Sequence, residues 1–223
     1  MKIIGFDYDG TIINIEPQKA QAFGELLFLR WGVDSQIASR FWIETGGTQR
    51  KYKFDYFYQK RYGCKLAEEK YKEIEKSYSL LLKEKFYPQV KLIPGALEIL
   101  KFARNNFDVT FVSSGVPTKE INFLVKLNGV SRYFDFILGT DKKYPDKISH
   151  FKKTISTYSP NLLIYLADGL EDMIIAKKFE AISIGLTTNH SAVELKAKGA
   201  NFVCNNLAQA LDRCKKLISG STY

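Results

Sequence analysis

Two aspartates two positions apart, Asp7 and Asp9, separated by Tyr8, follow a short apolar run of Ile3, Ile4 and Phe6. Alternation along an extended chain points both carboxylates the same way, and two like charges held that close call for a cation or a shared proton. A hard metal such as Mg²⁺ answers that need with oxygen ligands alone. Gly10 lets the backbone turn sharply and Thr11 can tie the turn down. The acids are then left at the carboxyl end of a strand, where open α/β sheets carry their chemistry. A second acidic pair, Asp168 and Asp172, follows the run LLIYLA at 162–167. Acids four apart at a strand-to-helix junction can face one point, with Glu171 the runner-up for the second place; in isolation such a group also reads as a helix N-cap. Ser113, Ser114 and Gly115 end a third apolar run, VTFV at 109–112. Small hydroxyls there can hold a phosphate together with the N–H groups of the next helix start.

Strands and helices must alternate to bring these strand ends together. Short apolar runs predict buried strands at 3–6, 108–112, 134–139 and 162–167, with short edge strands at 181–185 and 201–203. Pro94-Gly95 opens a helix that runs to Arg104, and a later helix carries Ile148, Phe151 and Ile155 on one face. Further helices are expected at 192–198 and 207–218. From Pro17 to about Pro88 the pattern is helical with no convincing strand, so this block reads as a helical insert between two strands of a core. It carries 14 Lys and Arg against nine Asp and Glu, and it holds the adjacent glycines Gly46-Gly47. The run Gln49 to Gly63 interleaves basic and aromatic residues; helical spacing assigns the aromatics to a core and the Lys and Arg heads to a solvated face.

With 223 residues the chain can bury a sizeable core. No apolar run approaches the roughly 20 residues that a membrane span needs, and the N-terminus enters a strand directly, so a cytoplasmic protein without a membrane partner is expected. Cys64, Cys204 and Cys214 are odd in number and far apart, which points to free thiols, without a disulfide framework or a zinc site. The net charge of +9 is compatible with nucleic acid, an acidic membrane or a small anionic substrate. His150 in a helix and His190 in a loop give no reason to propose a histidine-based site.

The stretch DYDGTI resembles the first motif, D-x-D-G-T-[LIV], of the haloacid dehalogenase-like phosphatases. In that family the first Asp is the phosphate-accepting nucleophile and the second a general acid and base, roles that fall here on Asp7 and Asp9. Ser113 resembles the second motif, with Ser114, Gly115 and Thr11 beside it as further phosphate-binding candidates. The third motif supplies a Lys that offsets the repulsion between a carboxylate and a phosphate dianion. Lys147, about twenty residues before the fourth motif, is the favoured match, while Lys142 fits the alternative K-P-x-P-D pattern with Lys143 in place of the first Pro. Asp168 to Asp172 is similar to the fourth motif, G-D-x-x-x-D, with Ala167 in place of Gly. The resemblance implies Mg²⁺ on Asp7, the main-chain carbonyl of Asp9 and Asp168, with Asp172 holding metal-bound water or a neighbouring backbone.

Four motifs in the family's order imply a Rossmann-like, doubly wound parallel sheet core at 1–16 and 92–223. A helical cap domain at 17–91 is inserted after the first strand. The chain is in this respect similar to phosphoglycolate phosphatase-like hydrolases, and the implied reaction is hydrolysis of a small phosphate monoester through an aspartyl-phosphate. A phosphomutase of the same fold, or an inactive nucleic-acid-binding or regulatory protein on it, are the alternatives. The intact acid set favours a small anionic phosphorylated metabolite over nucleic acid as the partner. In the expected cap, Gly47 and Arg50 are the candidates for contact with the substrate. Oligomeric state is not legible.

Overall fold

The computed structural model describes residues 1–46 and 48–220; Gly47, one of the expected substrate contacts, lies outside them. Its backbone divides into two compact units, Met1–Asn14 with Lys91–Tyr223, and Ile15–Val90.

The second unit has no strand among its described residues; its elements are α1 (Glu16–Trp31), α2 (Ser35–Glu44), α3 (Arg50–Tyr62) and α4 (Glu68–Leu81), followed by a π-helical turn at Leu82–Phe86 and a 3₁₀ turn at Tyr87–Gln89. Its core is aromatic. Phe23 packs within 5.0 Å of Phe54 and 5.1 Å of Trp42, ring centre to ring centre, and Tyr78 lies 5.8 Å from Phe54. The aromatic-basic run divides by face, with Phe54, Phe57 and Tyr58 buried and Tyr52, Tyr56 and Tyr62 exposed. Lys53 corrects the expectation of solvated cations. It is only 2 % exposed, its Nζ donates to the main-chain oxygen of Trp42 at 2.9 Å, and it lies 4.1 Å over the Trp42 ring. A carbonyl and an aromatic face together replace part of its water, and burial lowers its pKa to about 8 against the pull of Glu16.

The first unit is a six-stranded, wholly parallel sheet: β1 (Lys2–Phe6), β2 (Val109–Pro117), β3 (Phe136–Thr140), β4 (Leu162–Ala167), β5 (Ile182–Leu186) and β6 (Phe202–Cys204), in the order β3-β2-β1-β4-β5-β6. Between them run α5 (Ala96–Asn106), α6 (Thr118–Leu127), α7 (Lys147–Tyr158), α8 (Leu170–Lys178) and α9 (Ala192–Ala197), with α10 (Leu207–Ser219) closing the chain. This is the doubly wound order, with its switch point between β1 and β4. Phe6 pairs with both Val112 and Leu166, so Asp7, Ser113 and Ala167-Asp168 emerge side by side at the carboxyl edge. Phe111, Phe151 and Tyr165 form the aromatic centre of the core, with Phe151 4.9 Å from Tyr165.

The main departure from the sequence reading is at β2. The strand continues to Pro117, so Ser113, Ser114 and Gly115 lie inside it and the next helix starts only at Thr118. Pairing with β3 carries the strand on through a register shift, from Ser113 opposite Leu138 to Pro117 opposite Thr140. Gly139 makes this possible, since a Cβ there would lie 2.6 Å from the Cα of Thr118. The expected helix-start N–H groups are therefore not adjacent to Ser113.

Candidate active site

The turn after β1 is built by main-chain bonds. Tyr8 O accepts from the N–H groups of Ile12 at 2.9 Å and Ile13 at 3.1 Å, and Gly10 N donates to Ile13 O at 2.7 Å. Thr11, expected to tie this turn, does not do so with its side chain: its hydroxyl is buried and makes no hydrogen bond among the described residues, because the backbone already closes the turn. Gly10 has a φ of +79°, and a Cβ on it would stand 2.2 Å from Asp168 Oδ2. A bare backbone is thus required here twice over, for its conformation and for the carboxylate that crosses it.

Lys147 brings the two acidic strand ends together. Its Nζ donates to Asp7 Oδ1 at 2.7 Å and to Asp172 Oδ1 at 2.6 Å. The lysine owes its position to a capping box at the start of α7, where Asp146 Oδ1 accepts from Ser149 N at 2.7 Å and Ser149 Oγ accepts from Asp146 N at 3.4 Å. Lys142 and Lys143 are exposed. Asp172 also meets the Tyr165 hydroxyl at 3.0 Å; that hydroxyl lies 3.1 Å from the main-chain oxygen of Ser113, so two acceptors share its one proton. Glu171 is exposed and takes no part. Asp168 accepts from Asn189 Nδ2 at 2.5 Å. Ser113 and Ser114 are buried, Gly115 is exposed, and Ser114 Oγ accepts from Val116 N at 3.3 Å. Arg50 belongs to the helical unit, where its guanidinium reaches Glu75 at 3.4 Å and lies 5.3 Å over the Tyr78 ring.

Charge in this cluster is unbalanced. Asp7, Asp168 and Asp172 are buried and Asp9 lies beside them, and Lys147 is the ammonium that meets Asp7 and Asp172. Burial raises the Asp7 carboxyl well above the usual carboxylate range; Lys147 opposes the shift, and Asp172, Asp168 and Asp9 add to it. Burial also lifts Asp168 to about 7, against the Asn189 hydrogen bond. For Lys147 burial works against the charge, but Asp172 and Asp7 hold the ammonium well above its ordinary pKa, so it stays a cation. An oxygen-only donor set with surplus negative charge fits a hard divalent cation. Among the described residues no three acidic, His or Cys side chains form a metal group by themselves, so a shell here must draw on a main-chain oxygen or solvent as well.

Sequence reasoning missed three residues that the fold delivers here. Asn189 reaches Asp168 from a loop and left no signal. Tyr165 lies on the same face of β4 as Ala167, which alternation could have shown. His150, set aside as carrying no site, is fully buried against Ser113, with Nδ1 2.9 Å from the serine Oγ. Its spacing of three from Lys147 puts both on one side of α7, a signal that was present.

Residues 1–180 match the model of the haloacid dehalogenase-like hydrolases. Among curated proteins, the phosphoglycolate phosphatase of Haemophilus influenzae is 22 % identical over 94 % of this chain and 96 % of its own length. That of Vibrio vulnificus is 24 % identical over 95 % of each. Among solved structures, a haloacid dehalogenase-like family protein from Streptococcus pneumoniae aligns with a TM-score of 0.76 at 18 % identity, over 96 % of this chain and 98 % of that one. No described helix is long and apolar enough to cross a membrane.

Proposed function

The chain belongs to the haloacid dehalogenase-like hydrolases, and from that membership we propose that it is a Mg²⁺-dependent phosphatase acting on a phosphate monoester of a small metabolite. The observation that carries this reading is Lys147, bridging Asp7 at one strand end and Asp172 beyond another across the switch point of the sheet. The two curated relatives described above, both phosphoglycolate phosphatases, support a small ester that bears a second anionic group.

In the proposed reaction an Asp7 carboxylate oxygen attacks phosphorus and the bond from phosphorus to the ester oxygen breaks. Asp9 gives its proton to that departing oxygen. It then takes a proton from water, whose oxygen attacks phosphorus and releases inorganic phosphate and the Asp7 carboxylate. Lys147 offsets the repulsion between Asp7 and the incoming dianion; Asp172 holds the lysine in place and is itself bonded by the Tyr165 hydroxyl. Asp7, Asp168 and the main-chain oxygen of Asp9 would hold the Mg²⁺, with Asp172 in the outer shell. When bound, the ion supplies positive charge to the phosphoryl oxygens.

A screen of phosphorylated metabolites with Mg²⁺, scored by phosphate release, tests the reading; no release from any ester would end it. Chelation with EDTA is expected to reduce turnover about a hundredfold and added Mg²⁺ to restore it, since the metal's charge is worth several kcal/mol at the transition state. Full activity after exhaustive chelation would exclude the metal's role.

The helical insert at 17–91 is proposed as the cap that selects the ester, with Arg50 meeting its second anion. Arg50→Ala should raise KM several-fold for such a substrate and leave a generic ester without that anion unaffected. Equal loss on both substrates would count against the assignment, as would tight, salt-sensitive binding of RNA or DNA without phosphatase activity.

A further inference from the structure

His150 lies fully buried on α7, against β2 on one side and β3 on the other. Its Nε2 is 3.1 Å from Gly139 O, and its Nδ1 is 2.9 Å from Ser113 Oγ. A carbonyl oxygen can only accept, so Nε2 carries a hydrogen. In the neutral ring Nδ1 is then a bare acceptor, and the Ser113 hydroxyl must donate to it. That spends the one proton the serine has. What Ser113 can still offer a ligand is lone pairs, the wrong partner for the oxygens of a dianion. A second proton on the imidazole reverses the bond: Nδ1–H donates to Ser113 Oγ and the hydroxyl proton is free to turn to a phosphoryl oxygen.

We propose that His150 is a positioning residue that sets the direction of the Ser113 hydroxyl, so that a dianion binding at Ser113 is accompanied by uptake of one proton from solvent. This rests on the phosphatase reading, in which Ser113 takes a phosphoryl oxygen. The surroundings of His150 favour a neutral ring while the site is free. Burial lowers its pKa and Lys147, one turn earlier on α7, adds to the effect; the Gly139 carbonyl, Asp146 at the helix cap and Asp141 in the preceding loop oppose it. The Tyr144 ring packs edge-on at 6.2 Å, and Ser113 and Gly139 are the contacts from the two strands. A dianion beyond Ser113 supplies the negative charge that the ring lacks, which raises its pKa in the complex.

Sulfate is the probe, because it stays a dianion across the working range and contributes no proton of its own. Calorimetric titration of the Mg²⁺-loaded protein is expected to show a sulfate Kd that rises about tenfold per pH unit between the free and bound pKa values of His150, as linkage of one proton requires. His150→Asn puts an oxygen acceptor near the place of Nδ1 and cannot be protonated, so the part of this slope due to the ring should vanish. Ser113→Ala takes away the hydroxyl bridge to the ring but leaves the charge of the dianion, so it should weaken the slope, and it carries the test if the histidine variant fails to fold. Titration of Asp7 or Asp168 would contribute equally to all three proteins and cancels in the comparison. A wild-type Kd independent of pH, or the same slope in both variants, overturns the proposal. Phosphate release from esters without any sulfate binding would overturn it while leaving the phosphatase reading standing.

Discussion

Asp7→Asn is expected to lose at least about a thousandfold in turnover, roughly 4 kcal/mol of barrier stabilisation. An amide oxygen cannot serve as the nucleophile, yet it nearly matches the carboxylate in volume. The fold should survive the change, because Lys147 keeps its second partner, Asp172 at 2.6 Å. Single-turnover phosphate release measures the first half of this expectation and a thermal melt the second. Activity above about a thousandth of wild type, in a variant that melts normally, would mean that Asp7 does not form the covalent bond. Loss of activity together with collapse of the melt would assign Asp7 a structural role instead.

Lys147→Ala should cost a comparable amount, about a thousandfold, whereas Lys142→Ala should change turnover less than about twofold. The two lysines are five positions apart in one basic turn, but their surroundings differ. Lys147 is held between two buried carboxylates at 2.7 and 2.6 Å, and Lys142 is exposed. Removing one partner from a buried ion pair leaves uncompensated charge, commonly worth about 3–5 kcal/mol. The Lys147 variant is therefore also expected to melt at a lower temperature, so its turnover must be taken per folded molecule. The reverse order of the two variants would move the catalytic cation to Lys142 and undo the geometry proposed for this site.

Much of this site was legible before any fold was known, because the rules involved are local. Alternation along β1 and the turn after it put Asp7 and Asp9 at a strand end. The four-residue spacing of Asp168 and Asp172 likewise follows from a strand passing into a helix. The span of β4, Leu162–Ala167, coincides with its apolar run, and the other later strands fall within two residues of theirs. Where the reading failed, a neighbouring element overrode the local signal. β2 ran on past Val112 because β3 offered a partner through Gly139. Lys53 turned inward because Trp42 offered it an oxygen and a ring face.

By itself, then, the sequence determined which residues stand at strand ends and what chemistry their types permit. It also determined that a long basic helical segment separates the first strand from the second. The tertiary structure alone decided which of three lysines meets Asp7 across 140 positions of chain, that Asp172 rather than Glu171 receives it, and that His150 and Asn189 reach Ser113 and Asp168. The reason is physical. Backbone periodicity fixes a side chain relative to its own element, over a few residues. The partner it meets depends on strand order and helix packing, which many distant apolar contacts select together.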